Sequence, residues 1–135
     1  ASNIVFMESN TVFAEFEMKK EYDLLMEKEL KAEADKLDSL ASFIQVYQGD
    51  SMELYKLRTN YYASKSAYDN KFEKLSSRFT NEVNSRLNEY IENYAKKKGY
   101  DMILASSGEG NVMYVHDKKN ITEDLLKYIN KKYSK

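Results

Sequence analysis

Residues 40–57 read LASFIQVYQGDSMELYKL, and within them one helical pattern ends and another begins. Gly49 is predicted to end the first helix in the left-handed conformation that glycine adopts without strain. Asp50 and Glu53 have the spacing of a capping box, which favours a new helix from about Ser51. The break near residues 48–51 therefore predicts two consecutive helices joined by a short turn.

Apolar residues on both sides of this break recur at helical spacing. Upstream, steps of four and three form a heptad seam through Leu30, Ala34, Leu37, Ala41 and Ile44. Downstream, the stripe runs through Leu54, Leu57, Tyr61, Ser64, Tyr68, Phe72, Leu75, Phe79, Val83, Leu87, Tyr90 and Tyr94. Its consecutive steps of four resemble a stutter. Three lysines and Gly99 then end the helix, so a coiled-coil hairpin is predicted over residues 17–98.

The segment before the hairpin begins with a strand-like apolar run over residues 4–7. Ser9 or Asn10 can then cap a helix start. The helical pattern continues from there, and Val12, Phe13 and Phe16 share a face that is expected to pack on the strand.

The segment after the hairpin contains two further predicted strands, residues 100–105 and 112–116, with a turn over residues 106–111. Thr122 is a candidate cap for a final short helix. The predicted fold class is therefore α+β, in which the long helical hairpin carries a small β body built from residues 1–16 and 99–135. So small a core is marginal by itself, which favours an oligomer.

Composition excludes several functional classes. The chain has 135 residues, no cysteine, one histidine and a net charge of -1. These numbers argue against thiolate or paired-histidine metal sites and against a nucleic-acid binder, which normally carries a basic excess. Gly108 and Gly110 lie between two predicted strands, so they indicate a turn rather than a phosphate-binding loop. No catalytic residues, metal or cofactor are predicted, and the chain is not expected to be an enzyme.

Four segments, taken in order, resemble the Skp/OmpH family of chaperones. They are Ile4-Val5-Phe6-Met7-Glu8-Ser9-Asn10-Thr11-Val12-Phe13, Gly99-Tyr100-Asp101-Met102-Ile103-Leu104, Gly110-Asn111-Val112-Met113-Tyr114 and Asn120-Ile121-Thr122-Glu123-Asp124-Leu125-Leu126. The resemblance implies a jellyfish-like homotrimer, in which strands of three chains form the body and three hairpins surround a cavity. It also implies an ATP-independent holding chaperone that keeps unfolded outer-membrane proteins soluble. A periplasmic location is implied as well, with the signal or lipid-anchor segment expected outside this chain.

The net charge of -1 departs from the strongly basic pattern of the family. This departure weakens the case for contact with anionic membrane lipids, although lysine clusters lie near the body at Lys96, Lys97, Lys98, Lys118, Lys119, Lys131 and Lys132.

Aromatic and methionine side chains near the helical break are the candidates for binding unfolded proteins, because they offer apolar and adaptable contacts. They are Phe43, Tyr47, Met52, Tyr55 and Tyr62, with Tyr68 further along the helix. The alternative is that such residues pack the two helices together, which is favoured for Leu54, Tyr61 and Tyr68 on the seam. Candidates for oligomerisation are the apolar strand residues Ile4, Phe6, Ile103, Leu104, Val112 and Tyr114.

Two other classes of protein remain open. The first alternative is a structural coiled-coil spacer or adaptor that binds a folded partner. A prefoldin-like subunit fits less well, because prefoldin places its strands between the two helices, whereas here strands flank the hairpin.

Overall fold

The computed structural model of the protein describes residues 2–108, 112 and 114–135. The elements are strand β1 (Ile4–Glu8), helices α1 (Ser9–Glu15), α2 (Glu17–Val46) and α3 (Ser51–Lys98), strand β2 (Met102–Ser106), a 3-10 turn (Asp117–Lys119) and helix α4 (Thr122–Tyr133). The predicted α+β class is confirmed, because long helices dominate and the small sheet joins N- and C-terminal segments.

The chain forms two compact units. We name them the terminal unit, Ala1–Asp23 with Asn81–Lys135, and the hairpin unit, Leu24–Thr80. The long helices α2 and α3 contribute to both units, and each unit is described in turn.

The sheet of the terminal unit consists of β1 and β2 in parallel, with Ile4 opposite Met102 and Glu8 opposite Ser106. Parallel strands cannot be joined by a tight turn and need a long crossover, which α1, α2 and α3 supply. The pairing extends at one end, where the Asp101 amide donates to the Asn3 carbonyl at 2.8 Å. On its other edge β1 forms a single bridge with Asn120.

The second strand predicted in the C-terminal segment is not observed. Val112 and residues 114–116 belong to no strand, while residues 109–111 and 113 lie outside the described residues. Tyr114 is 80% exposed and Val112 and Val115 are only half-buried, so none of these described side chains is fully buried. A strand that buries little apolar surface is marginal in water, which agrees with the lack of pairing among these described residues.

The core of the terminal unit lies between α1, α4, the sheet and the adjoining turns of α2 and α3. Val12, Phe16, Leu125 and Ile129 are fully buried, and they belong to a cluster of eleven buried residues. The expected packing of α1 on the strand is confirmed, because Val5 of β1 is in the same cluster.

A break between α1 and α2 at Phe16 was not predicted from the sequence. Phe16 has extended backbone angles, and its ring is fully buried. The Asn130 side chain of α4 bridges the break: its Oδ1 accepts from the Glu17 amide at 2.8 Å, and its Nδ2 donates to the Glu15 carbonyl at 3.1 Å. A partner 113 residues away thus caps the start of α2, which no local pattern could reveal.

The polar residues predicted as helix caps in the terminal unit have other roles. Ser9 Oγ donates to the Ser106 carbonyl and Asn10 Nδ2 to the Ser107 carbonyl, so both hold the end of β2. Thr122 Oγ1 accepts from the Glu8 amide at 2.9 Å, while Asn120 Oδ1 accepts from the Thr122 amide.

The ends of α3 follow the sequence pattern closely. Asp50 Oδ1 accepts from the Met52 amide at 3.3 Å, which confirms Asp50 as the N-terminal cap. At the other end Gly99 has a φ of 73°, and the Tyr100 amide donates to the Ala95 carbonyl. These features form the expected glycine stop.

Gly49 does not take the predicted left-handed conformation, since among the described residues only Gly99 and Gly108 have positive φ. Its role is steric instead. A Cβ at this position would lie 2.5 Å from the Tyr47 hydroxyl, so the absence of a side chain makes room for that ring.

Within the hairpin unit α2 and α3 run antiparallel, as Lys71 of α3 shows. Its Nζ donates to Glu33 Oε1 at 2.8 Å and to the Glu29 carbonyl at 2.9 Å. Lys71 is half-buried on the seam, whereas Phe72, which was predicted there, is 45% exposed. The prediction for Phe72 is wrong because the aliphatic stem of lysine can cover apolar surface while its ammonium reaches a partner.

Candidate functional site

The hairpin unit exposes a set of large apolar side chains around the turn between α2 and α3. Most of the residues nominated from the sequence lie here and are open to solvent: Phe43 is 52% exposed, Met52 60%, Tyr55 69% and Tyr62 65%. Tyr47 is half-buried. Isolated exposed apolar residues are ordinary, but a group of this size in one unit indicates an interaction surface.

Local contacts hold several of these rings in place. The Phe43 and Tyr47 rings, one helical turn apart, have centroids separated by 5.7 Å. Tyr61 and Tyr62 form an edge-to-face pair at 5.6 Å. Tyr61 and Leu54 are half-buried on the seam, as the helix-packing alternative requires, whereas the neighbouring Tyr62 faces solvent. Contacts with neighbouring rings therefore limit the freedom of these side chains.

Sequence reasoning missed other exposed apolar residues of the hairpin unit. They are Leu24 (67% exposed), Leu25 (40%), Val46 (72%) and Phe72 (45%). Leu24 and Leu25 are adjacent in sequence, so a heptad pattern places at most one of them on the seam. That both are exposed was visible only in the structure.

A shallow groove also lies between α2 and α3 in this unit. It has a volume of about 340 Å³ and is lined by Ala41, Ile44, Gln45, Arg58, Tyr61 and Tyr62. Arg58, Tyr61 and Tyr62 share a face because they are three and four residues apart on one helix. The groove combines apolar walls with one guanidinium group.

Four oligomerisation candidates, Ile4, Phe6, Ile103 and Leu104, lie in the small sheet of the terminal unit, and Val112 and Tyr114 lie outside it. Ile4, Phe6, Ile103 and Val112 are half-buried in the single chain, while Leu104 is 40% and Tyr114 80% exposed. Their partial exposure leaves apolar surface at the outer strand of the sheet.

His116, the one histidine of the sequence, has a structural role. The His116 ring accepts from the Lys118 amide at 3.2 Å and thereby caps the 3-10 turn. Among the described residues no group of three or more histidine, aspartate or glutamate side chains could hold a metal ion. The same residues include no helix that is apolar over a length sufficient to cross a membrane.

Fold and surface together define a class of protein: a long antiparallel helical hairpin anchored by a small parallel sheet, with apolar side chains displayed on the hairpin. The chain matches the family of OmpH-like outer membrane proteins over residues 4–129, and it belongs to that family. The resemblance seen in the four sequence segments is confirmed by this match.

A solved structure from Caulobacter crescentus CB15 has a similar fold. That protein is described as a candidate OmpH-like outer membrane chaperone, and it shares 16% sequence identity with this chain at a TM-score of 0.56. The similarity covers 98% of this chain and 86% of the other. No functionally curated protein matches the sequence.

Proposed function

We propose that this protein is a non-enzymatic holding chaperone of the periplasm, which keeps unfolded outer-membrane proteins soluble without ATP. The observation that carries the proposal is the exposed apolar surface of the hairpin unit, where Phe43, Met52, Tyr55 and Tyr62 are each more than half exposed. Membership of the OmpH-like family and the fold shared with a candidate chaperone support it.

Holding by such a surface depends on many weak contacts. Each exposed ring can cover an apolar side chain of an unfolded chain, while the tyrosine hydroxyl remains hydrated. Methionine adds a flexible contact that fits varied shapes. Contacts made together retain a client through effective concentration, although each is weak. Release then follows when folding in the membrane offers the client a lower free energy.

The proposal includes assembly of three chains through the small sheet, so that their hairpins surround a cavity. Leu104 is 40% exposed and Val112 half-buried in a single chain, which leaves both able to complete a shared core. A two-stranded sheet is marginal alone, and further strands would stabilise it. The mixed Leu, Ala, Ile and Tyr seam of the hairpin gives no preference for oligomer size.

The experiment for client holding replaces Tyr55 and Tyr62 together by serine. We expect weaker suppression of aggregation when a denatured outer-membrane protein is diluted from urea, with the oligomer mass unchanged in light scattering. Asn70→Ser with Glu73→Ser, on exposed positions of the same helix, is the matched control and should suppress aggregation normally. Full suppression by the tyrosine variant would contradict the proposed surface. Failure of the wild-type protein to suppress aggregation would instead favour the spacer or adaptor function.

Assembly is tested by Leu104→Asp and by Val112→Asp. Either carboxylate would be buried without a partner in a shared core, so the oligomer is expected to dissociate. The mass from light scattering should fall to that of a single chain, and the helical circular dichroism should persist. An unchanged mass for both variants would exclude these residues from the interface.

A further inference from the structure

The groove between α2 and α3 in the hairpin unit contains a cation without a partner. No hydrogen bond or ion pair joins Arg58 to another described residue. Four lysines of the same unit are paired with carboxylates, namely Lys31, Lys56, Lys65 and Lys71. Arg58 therefore presents an unmatched positive charge beside apolar side chains.

The walls of the groove are suited to one side chain of a bound polypeptide. Ala41 and Ile44 of α2 supply aliphatic contacts, and Tyr61 and Tyr62 of α3 supply an edge-to-face aromatic pair. The volume of about 340 Å³ lies at the lower end of the range for small ligands. A large apolar side chain is a suitable occupant, whereas a folded surface would reach only the rim.

The guanidinium group adds a preference for charge. The planar guanidinium group binds a carboxylate through two parallel hydrogen bonds. An amide of the same shape cannot accept both bonds, so the carboxylate is preferred. Gln45 contributes a second polar group at the same place. A bound carboxylate would pair with Arg58, and an apolar side chain next to it would fill the groove.

We infer that this groove is a subsite for an acidic residue adjacent to an aromatic or aliphatic residue in an unfolded polypeptide. The inference rests on the proposed holding function and assigns a sequence preference to part of that surface. A peptide is favoured over a membrane surface because the hairpin unit has nine basic and nine acidic side chains. Such a balance provides no basic excess to attract an anionic bilayer.

The test measures peptide binding to the full chain by following the ring signals of Tyr62 in NMR titrations. Three blocked hexapeptides are compared that differ only at a central pair: Phe-Asp, Phe-Asn and Ala-Asp. An exposed ion pair contributes little, so Phe-Asp is expected to bind about fivefold more tightly than Phe-Asn. Ala-Asp should bind more weakly than either, because it leaves the apolar walls uncovered.

Arg58→Gln should abolish the difference between Phe-Asp and Phe-Asn. Lys74→Gln removes the same charge from an exposed site on the same helix and should preserve the difference. Equal binding of Phe-Asp and Phe-Asn to the wild-type chain would overturn the inference. Loss of the preference in both variants would also overturn it, since the effect would then reflect net charge alone.

Binding of phosphatidylglycerol vesicles to the full chain tests lipid as the alternative ligand of the groove. Binding of vesicles that depends on Arg58 and is not displaced by Phe-Asp would assign the groove to lipid and overturn the peptide subsite. Normal suppression of client aggregation without any acidic preference would reject the subsite but retain the chaperone function. If the protein neither suppresses client aggregation nor prefers the acidic peptide, the chaperone function and the subsite are both rejected.

Discussion

The terminal unit and the hairpin unit share the same two long helices, yet they bury apolar side chains to very different extents. Eleven residues form one buried cluster in the terminal unit. In the hairpin unit only Leu30 and Phe79 are buried, at 5% and 6% exposure. Conversely, eight of the eleven large apolar side chains that are exposed in the described residues belong to the hairpin unit.

This difference follows from the number of packing partners. In the terminal unit α1, α4 and the sheet pack against α2 and α3 from several sides. Whole side chains such as Phe16 and Leu125 are therefore buried. In the hairpin unit two helices cover only one stripe of each other, and the other faces stay in water. The chain thus separates a region that stabilises its own fold from a region whose apolar surface is available to other molecules.

The largest predicted effect comes from making the same substitution in both units. Phe16→Ala removes a fully buried ring that contacts Tyr90 and Tyr133 edge-to-face, and it should lower the free energy of unfolding by about 3–5 kcal/mol. Phe43→Ala, at a ring that is 52% exposed, should lower it by less than about 1 kcal/mol. Urea unfolding followed by circular dichroism measures both. Similar losses for the two variants would show that the hairpin unit is packed as closely as the terminal unit.

An intermediate effect is expected at two glycines, one from each unit. Gly99 has a φ of 73°, so Gly99→Ala forces an L side chain into the left-handed region and should destabilise the protein by about 1–2 kcal/mol. Gly49→Ala meets only the end of the Tyr47 side chain, which can rotate away, so its effect should stay within about 1 kcal/mol. Thermal unfolding of the two variants measures which substitution lowers the stability more. A larger loss at Gly49 would mean that the Tyr47 ring is more firmly held than its surroundings indicate.

The effect that is smallest at neutral pH appears only in alkaline solution. Burial, together with the neighbouring Tyr100 hydroxyl and the negative charge of Asp124, raises the pKa of Tyr94 to about 12. The unfolded chain then loses this proton at lower pH than the folded one, so stability is full below about pH 10 and decreases as the pH rises towards 12. Tyr94→Phe should reduce that decrease, measured as the unfolding midpoint between pH 9 and pH 12, roughly the interval that spans both pKa values. Tyr62→Phe, at an exposed tyrosine of the hairpin unit, is the control and should leave the decrease as in the wild type.

The sequence predicted features whose causes are local. Asp50 caps α3 and Gly99 ends it because each acts through its own backbone and nearest neighbours. The period of the heptad likewise located most of the seam. The ends of α3 and the helical hairpin could therefore be deduced from residue type and spacing alone.

Features that depend on distant residues could not be deduced in this way. The helix break at Phe16 requires Asn130, and Lys71 replaces Phe72 on the seam because Glu33 and Glu29 lie opposite it. Similarly, nothing local distinguishes the described strand-like residues 112 and 114–116, which belong to no strand, from Met102–Ser106, which pairs with β1. Phe43, Tyr55 and Tyr62 are exposed because they fall outside the seam, whereas Tyr47 is half-buried. Arg58 was missed because its significance comes from α2 across the groove.

The proposed function requires that the hairpin unit, rather than the terminal unit, contacts unfolded clients. Photo-crosslinking tests it most directly, with a photoreactive phenylalanine derivative placed at Tyr62 in one variant and at Tyr128 of α4 in another. We predict that an unfolded outer-membrane protein is captured in high yield from position 62 and only weakly from position 128. Equal capture from both positions, or capture confined to position 128, would contradict the account.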